Sequence, residues 1–135
     1  MKIGVSACLL GENCKYDGGN NRSDPLIELL KGHDIIPFCP ERMGGLSCPR
    51  VPCEIIGRRV IGKDGQDYTR AYQDGAEAAY KLLKDSDVRC VVLKRNSPSC
   101  GYTAVYDGTF THTLRRGSGV FASKLSNRKY FILEV

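Results

Sequence analysis

The sequence predicts an α/β fold: a single-domain, Rossmann-like, mainly parallel sheet with flanking helices and a small β-hairpin. Three observations predict it. Short apolar runs of strand length recur at 1–6, 34–38, 88–93 and 130–135. Segments with helical spacing of apolar residues lie between them, and strands alternating with helices call for parallel pairing through right-handed crossovers. The run VRCVVL (88–93) is almost continuously apolar, as a strand covered on both faces should be.

In chain order, MKIGVS (1–6) is a buried strand. Ser23-Asp24-Pro25 starts a helix, with proline early where its missing N–H costs nothing, and that helix stops at Gly32. Asp34 to Phe38 is a second strand. The stretch from Cys39 to Gly57 is rich in glycine and proline and is expected to be irregular, and 62–67 is a further turn-rich piece. A helix is expected over about 69–84, with Tyr72, Ala76, Ala79 and Leu83 on its buried face. Residues 88–93 form the third strand. Asp107-Gly108 between Tyr106 and Thr109 is a strong hairpin signal. Gly117 to Asn127 is expected as a last helix, and 130–135 as the closing strand.

The chain has 135 residues, 41% of them hydrophobic and 26% charged, which fits one domain spanning 1–135 with an ordinary soluble composition. No run approaches the roughly 20 apolar residues of a membrane span, so no membrane partner is expected. Met1 to Leu10 lacks the basic start and cleavage site of a secretory signal, and a cytoplasmic location is expected. The net charge of +5 is scattered, with pairs at Arg58–Arg59, Lys94–Arg95 and Arg115–Arg116, and forms no basic run or helix face. It permits an anionic ligand without indicating nucleic acid.

Seven cysteines, an odd number, argue against a disulfide scaffold. Cys8 follows the first strand, Cys39 the second, and Cys100 lies in the loop after the third. Ligands of open parallel sheets bind beyond the carboxyl ends of the strands, so these three thiols can converge there. No C-x-x-C occurs, which disfavours zinc and a thioredoxin-like pair. Cys48 and Cys53 form a C-x4-C without a second pair. Three thiolates suit a 4Fe–4S cluster with one iron left open; the alternative is three small buried hydrophobes, and that is the reading adopted for Cys90. Glu41, two residues after Cys39, is either an acid/base beside a metal or a surface carboxylate or salt-bridge partner. Ser97 is either part of the same site or a turn cap before Pro98. GSGVFA (117–122) lacks the context of a dinucleotide fingerprint and is read as a tight helix entry. His33 and His112 default to structural roles.

SACLLG (6–11), CKYDG (14–18), CPERMGGL (39–46), PRVPCEI (49–55), LKRNSPSCG (93–101), YDGTF (106–110) and GSGV (117–120) together resemble the signature of the domain-of-unknown-function 523 family, the thiouracil desulfidases. The resemblance implies an oxygen-sensitive 4Fe–4S cluster on Cys8, Cys39 and Cys100, and catalytic roles for Glu41 and Ser97. It implies non-redox removal of sulfur from a thiolated pyrimidine, as free base, nucleoside or nucleotide, giving the oxo base and hydrosulfide. Transfer RNA is the less favoured partner, since no added RNA-binding domain is present. The alternative is a non-catalytic iron–sulfur sensor or a sulfide or iron carrier, which would need the cysteines but not Glu41 and Ser97. Cys48, Cys53 and Arg42 depart from the signature; the thiol pair offers alternative metal binding, and Arg42 a change of substrate choice. Asp17, in the YDG turn, either faces the site or forms the turn.

Overall fold

The computed structural model describes residues 1–125 and 129–135. Strand β1 (Lys2–Ser6) runs into a one-turn 3-10 helix at Ala7–Leu10, closed by Gly11 at φ +96°. Helix α1 (Asp24–Leu29) starts on Ser23, whose hydroxyl accepts the Leu26 N–H. Strand β2 (Asp34–Phe38) leads into a short helix α2 (Pro40–Met43). Then come β3 (Cys53–Ile56), β4 (Arg59–Gly62), α3 (Thr69–Asp85) and β5 (Cys90–Leu93). Strands β6 (Ala104–Tyr106) and β7 (Leu114–Arg116) form a hairpin, a 3-10 turn covers Ala122–Leu125, and β8 (Phe131–Glu134) ends the chain.

The main sheet has the order β2-β1-β5-β8, with all neighbours parallel. Its four carboxyl ends therefore share one edge, and residues 7–10, 39–46 and 94–101 all leave from it. The connection from β1 goes to one side and that from β5 to the other, so the crevice opens between β1 and β5, where such sheets bind ligands. Alternation along β5 splits the core: Val91 joins Phe38, Leu83 and Phe121 on the face under α3, while Val92 joins Ile3, Val5 and Leu26 under α1. Fully burying each such side chain contributes about 1.5–3 kcal/mol.

The strands and α3 stand where the sequence places them, and Tyr72, Ala76, Ala79 and Leu83 are buried as expected. Three expectations need correction or refinement. The 39–57 stretch is not wholly irregular, since it holds α2 and β3. Pro40 sits in the first turn of α2, where proline supports a helix start. The hairpin expected at Asp107-Gly108 is present as β6 and β7, but those two residues are not its whole turn. Seven residues, 107–113, join β6 to β7, and the Asp107 carboxylate accepts the Thr109 N–H and hydroxyl at 3.0 and 2.6 Å. The last helix is only the turn at Ala122–Leu125. The N–H groups of Gly117, Gly119 and Val120 instead bond the carbonyls of Thr103, Gly101 and Pro98. Its expected end, Asn127, lies outside the described residues. Among the described residues no helix is long and apolar enough to cross a membrane.

Gly44 and Gly75 set where α2 lies. A Cβ on Gly75 would strike the Pro40 carbonyl, and one on Gly44 the Ala71 carbonyl. Both obstacles are backbone, so neither yields by a rotamer change, and the two short contacts let α2 lie directly on α3. Gly75→Ala is expected to lower stability by about 2 kcal/mol or more despite alanine's better helix propensity. Thermal unfolding checks this; an unchanged or raised Tm would show that the approach carries no constraint.

Candidate active site

The crevice at the strand ends is a cavity of about 360 Å³. Its lining includes Cys8, Cys39 and Cys100, the three thiols expected there, and also Glu41 and Ser97. Each arrives by a local cause. Cys8 lies in the 3-10 turn that ends β1, and Cys39 caps α2 at the end of β2. Cys100 is fixed by the turn after β5: the Ser97 hydroxyl oxygen accepts the N–H groups of Ser99 and Cys100, each at 3.1 Å.

Cys14 also lines this cavity. It neighbours both Cys8 and Cys39, and its single S–H can serve only one of them at a time; hydrogen bonding from Cys14 is the largest influence lowering the pKa of whichever sulfur accepts it, to about 7, against burial. Cys14 itself is pushed far above the ordinary thiol range by hydrogen bonding to these same neighbours, Cys39 foremost. Burial pushes Cys100 up. The carbonyl side of this turn is held by the 47–50 segment. The Cys48 thiol points at the carbonyls of Asn13 and Lys15, both at 3.0 Å, and the Arg50 N–H reaches the Tyr16 carbonyl at 2.7 Å. Cys48 thus serves as a clamp, while Cys53 faces the cavity from β3 with its pKa raised by burial to about 11. These positions do not make Cys48 and Cys53 a paired site.

Glu41 is buried and its carboxylate is bonded by four side chains. Oε1 accepts from Arg50 Nε at 2.9 Å and from the Tyr72 hydroxyl at 3.0 Å. Oε2 accepts from the Ser99 hydroxyl at 2.7 Å and from the Ser97 hydroxyl at 3.4 Å. The side chain of the half-buried Arg50 is only 8% exposed, and its guanidinium also reaches the Cys14 and Ser47 carbonyls. Burial works against its charge, but the Glu41 carboxylate more than offsets this and raises its pKa. Burial, then the Glu41 charge, raises Tyr72. Glu41 is thus a buried salt-bridge partner, not a surface carboxylate, and it also lines the cavity. Ser97 both caps its turn and contacts the carboxylate.

Sequence reasoning missed Cys14, Arg50, Tyr72 and Ser99 as members of the site. Tyr72 carried a helix-face signal that only placed it in the core. Ser99 lies inside the SPSCG motif, and spacing alone does not show that it, as well as Ser97, faces Glu41. Arg42 is exposed and does not line the cavity, and Asp17 forms its turn by accepting the Gly19 N–H at 2.9 Å. His112 belongs to the 107–113 loop and lines the cavity, while His33 is exposed in the turn before β2. A shallower depression of about 450 Å³ shares Arg50 and Cys53 with this cavity, but lacks the convergent thiols.

The donor set fits a cluster. Among the described residues no three His, Cys, Asp or Glu side chains are arranged to hold one metal ion directly. A single zinc needs its ligands within about 2.0–2.3 Å. Cubane ligands each bind a separate iron, so their sulfurs are spread around a wider body. Three thiols lining one cavity, two of them beside a shared thiol donor, suit such a body.

A family model for 2-thiouracil desulfurase matches residues 3–134. The chain is 36% identical to the uncharacterized protein YbbK of Bacillus subtilis (strain 168), over 96% of this chain and 92% of that one. It is 38% identical to the solved structure of the 4Fe–4S-dependent thiouracil desulfidase TudS (DUF523Vcz). That likeness covers 98% of this chain and 89% of the other, with a TM-score of 0.89. With its cysteine-lined crevice at the end of the parallel sheet, this chain belongs to the 2-thiouracil desulfurase family.

Proposed function

We propose that this protein is a 4Fe–4S-dependent, non-redox desulfidase that converts a small thiolated pyrimidine to its oxo form and hydrosulfide. The observation that carries this reading is the juxtaposition of three strand-end thiols with a buried, fully bonded carboxylate in one cavity. The family match and the structural likeness to TudS support it.

Cys8, Cys39 and Cys100 are the residues that would hold the cluster. When bound, it supplies an open, Lewis-acidic iron that polarises the thiocarbonyl. The chain's own groups handle water and protons. Arg50 and Tyr72 occupy Oε1 of Glu41 and fix the carboxylate plane, so proton transfer falls to Oε2. The Ser99 hydroxyl, donating to Oε2, passes a proton from an attacking water by shifting its own. Ser97 contributes at 3.0 Å from Ser99 Oγ and holds the turn in place. The half-buried Lys94 and its neighbour Arg95 line the same cavity and favour an anionic substrate form, a nucleotide over a free base. Transfer RNA remains the less favoured substrate, and a cytoplasmic role in nucleotide metabolism is part of this proposal.

Ser99→Ala should keep the visible absorbance of the cluster and lower kcat tenfold or more, read as hydrosulfide release; an unchanged kcat would take Ser99 out of the proton path. The function as a whole is tested by anaerobic reconstitution and turnover on a panel of thiouracils, thiouridine, thiouridine monophosphate and thiolated transfer RNA. Release of hydrosulfide from a small pyrimidine is expected. No release from any of them would overturn the assignment.

A further inference from the structure

From the juxtaposition of Tyr106 and His112 at the cavity, we infer that these two rings form a ledge that stacks the pyrimidine ring of the substrate. The inference rests on the desulfidase reading above and names residues outside the thiol and carboxylate groups.

Both residues line the cavity, though they come from outside the main sheet. Tyr106 ends β6 and His112 lies in the 107–113 loop, with ring centroids 6.3 Å apart and planes at 82°. An edge-to-face pair of this kind leaves one ring face uncovered for a third planar ring. Among the described residues neither the Tyr106 hydroxyl nor the His112 imidazole has a hydrogen-bonding partner, so neither ring is committed to the fold by polar contacts.

The loop is held firmly in a costly shape. Phe110 and His112 stand at φ +58° and +59°, a left-handed conformation that side chains with a Cβ avoid. Such backbone costs about 1–3 kcal/mol and persists where surrounding contacts impose it. At Phe110 such a contact comes from Glu54 of β3, its Oε1 accepting the N–H groups of Gly108 and Phe110 at 2.9 and 3.1 Å. Gly108 presses so closely on β3 that a Cβ there would meet Ile56 Cγ1 at 2.6 Å. At the other end, a parallel bridge between Val105 and Asn96 ties β6 to the segment that leads to Ser97 and Cys100. The ledge is therefore built on the same backbone as the reacting groups.

Stacking binds substrate and transition state alike, so its loss should appear in KM and not in kcat. In the reconstituted holoenzyme, Tyr106→Ala should raise KM for a thiolated pyrimidine roughly ten- to hundredfold, the scale of one base–aromatic stack. The kcat and the cluster absorbance should stay within twofold. Tyr106→Phe, which keeps the ring, should behave as wild type. His112→Asn keeps a residue that tolerates the left-handed backbone but removes the aromatic ring, and should raise KM several-fold. An unchanged KM in Tyr106→Ala would overturn the ledge, as would a Tyr106→Phe enzyme as impaired as the alanine variant. If wild-type holoenzyme releases no hydrosulfide from any thiolated pyrimidine, the desulfidase reading itself fails; normal wild-type turnover with an insensitive Tyr106 sinks the ledge alone.

Discussion

Glu41→Gln is expected to load a normal cluster and to lose about 10²–10⁴ in kcat, the range that a positioned general acid–base contributes. The substitution keeps the shape of the side chain but removes the carboxylate oxygen on which the proposed proton path ends. It also leaves the Arg50 guanidinium buried without its counter-charge, so some loss of stability should accompany the loss of turnover. The two effects separate cleanly: the visible absorbance and iron content report loading, thermal unfolding reports stability, and hydrosulfide release reports turnover. A carrier or sensor would need the thiols and not this carboxylate. A Glu41→Gln protein with wild-type kcat would therefore remove the proposed base and favour that alternative.

The second large effect concerns the thiols. Changing Cys8, Cys39 or Cys100 to serine should abolish the cluster's visible absorbance after anaerobic reconstitution, because three ligands leave no spare to compensate for a lost one. Cys48→Ser and Cys90→Ser should leave it intact. Cys48 bonds backbone carbonyls, and Cys90 sits at the start of β5 and does not line the cavity. Cys53→Ser should load as well. Cys14→Ser is the informative comparison. The hydroxyl retains a donor between Cys8 and Cys39, so the cluster should still form, whereas direct ligation by Cys14 would make this variant as empty as Cys39→Ser.

Much of this was legible because it is local. The strand runs at 1–6 and 34–38 and the helical spacing from Tyr72 to Leu83 depend on burial patterns that any short window carries. The three strand-end cysteines follow from topology, since parallel strands must share an edge. Helix α2 was hidden because proline and glycine read as breakers, yet Pro40 sits at a helix start and Gly44 at its end, where both residues are at home. The hairpin after Tyr106 is legible but its loop length is not, because Asp107-Gly108 has the chemistry of a tight turn while the Glu54 carboxylate from a distant strand holds a longer one. Arg50 and Tyr72 could not be assigned to Glu41 from spacing. Arg50 comes from a loop tied to the Cys14 and Tyr16 carbonyls, and Tyr72 from α3, which the close seating of α2 sets against Glu41.

The most direct test of the central claim follows hydrosulfide release from 2-thiouracil or its nucleotide against iron bound per chain, in protein reconstituted anaerobically to graded extents. The account predicts no turnover in iron-free protein, with the rate rising in proportion to iron up to four per chain. Full turnover in iron-free protein, or a zinc-loaded form as active as the iron form, would contradict it.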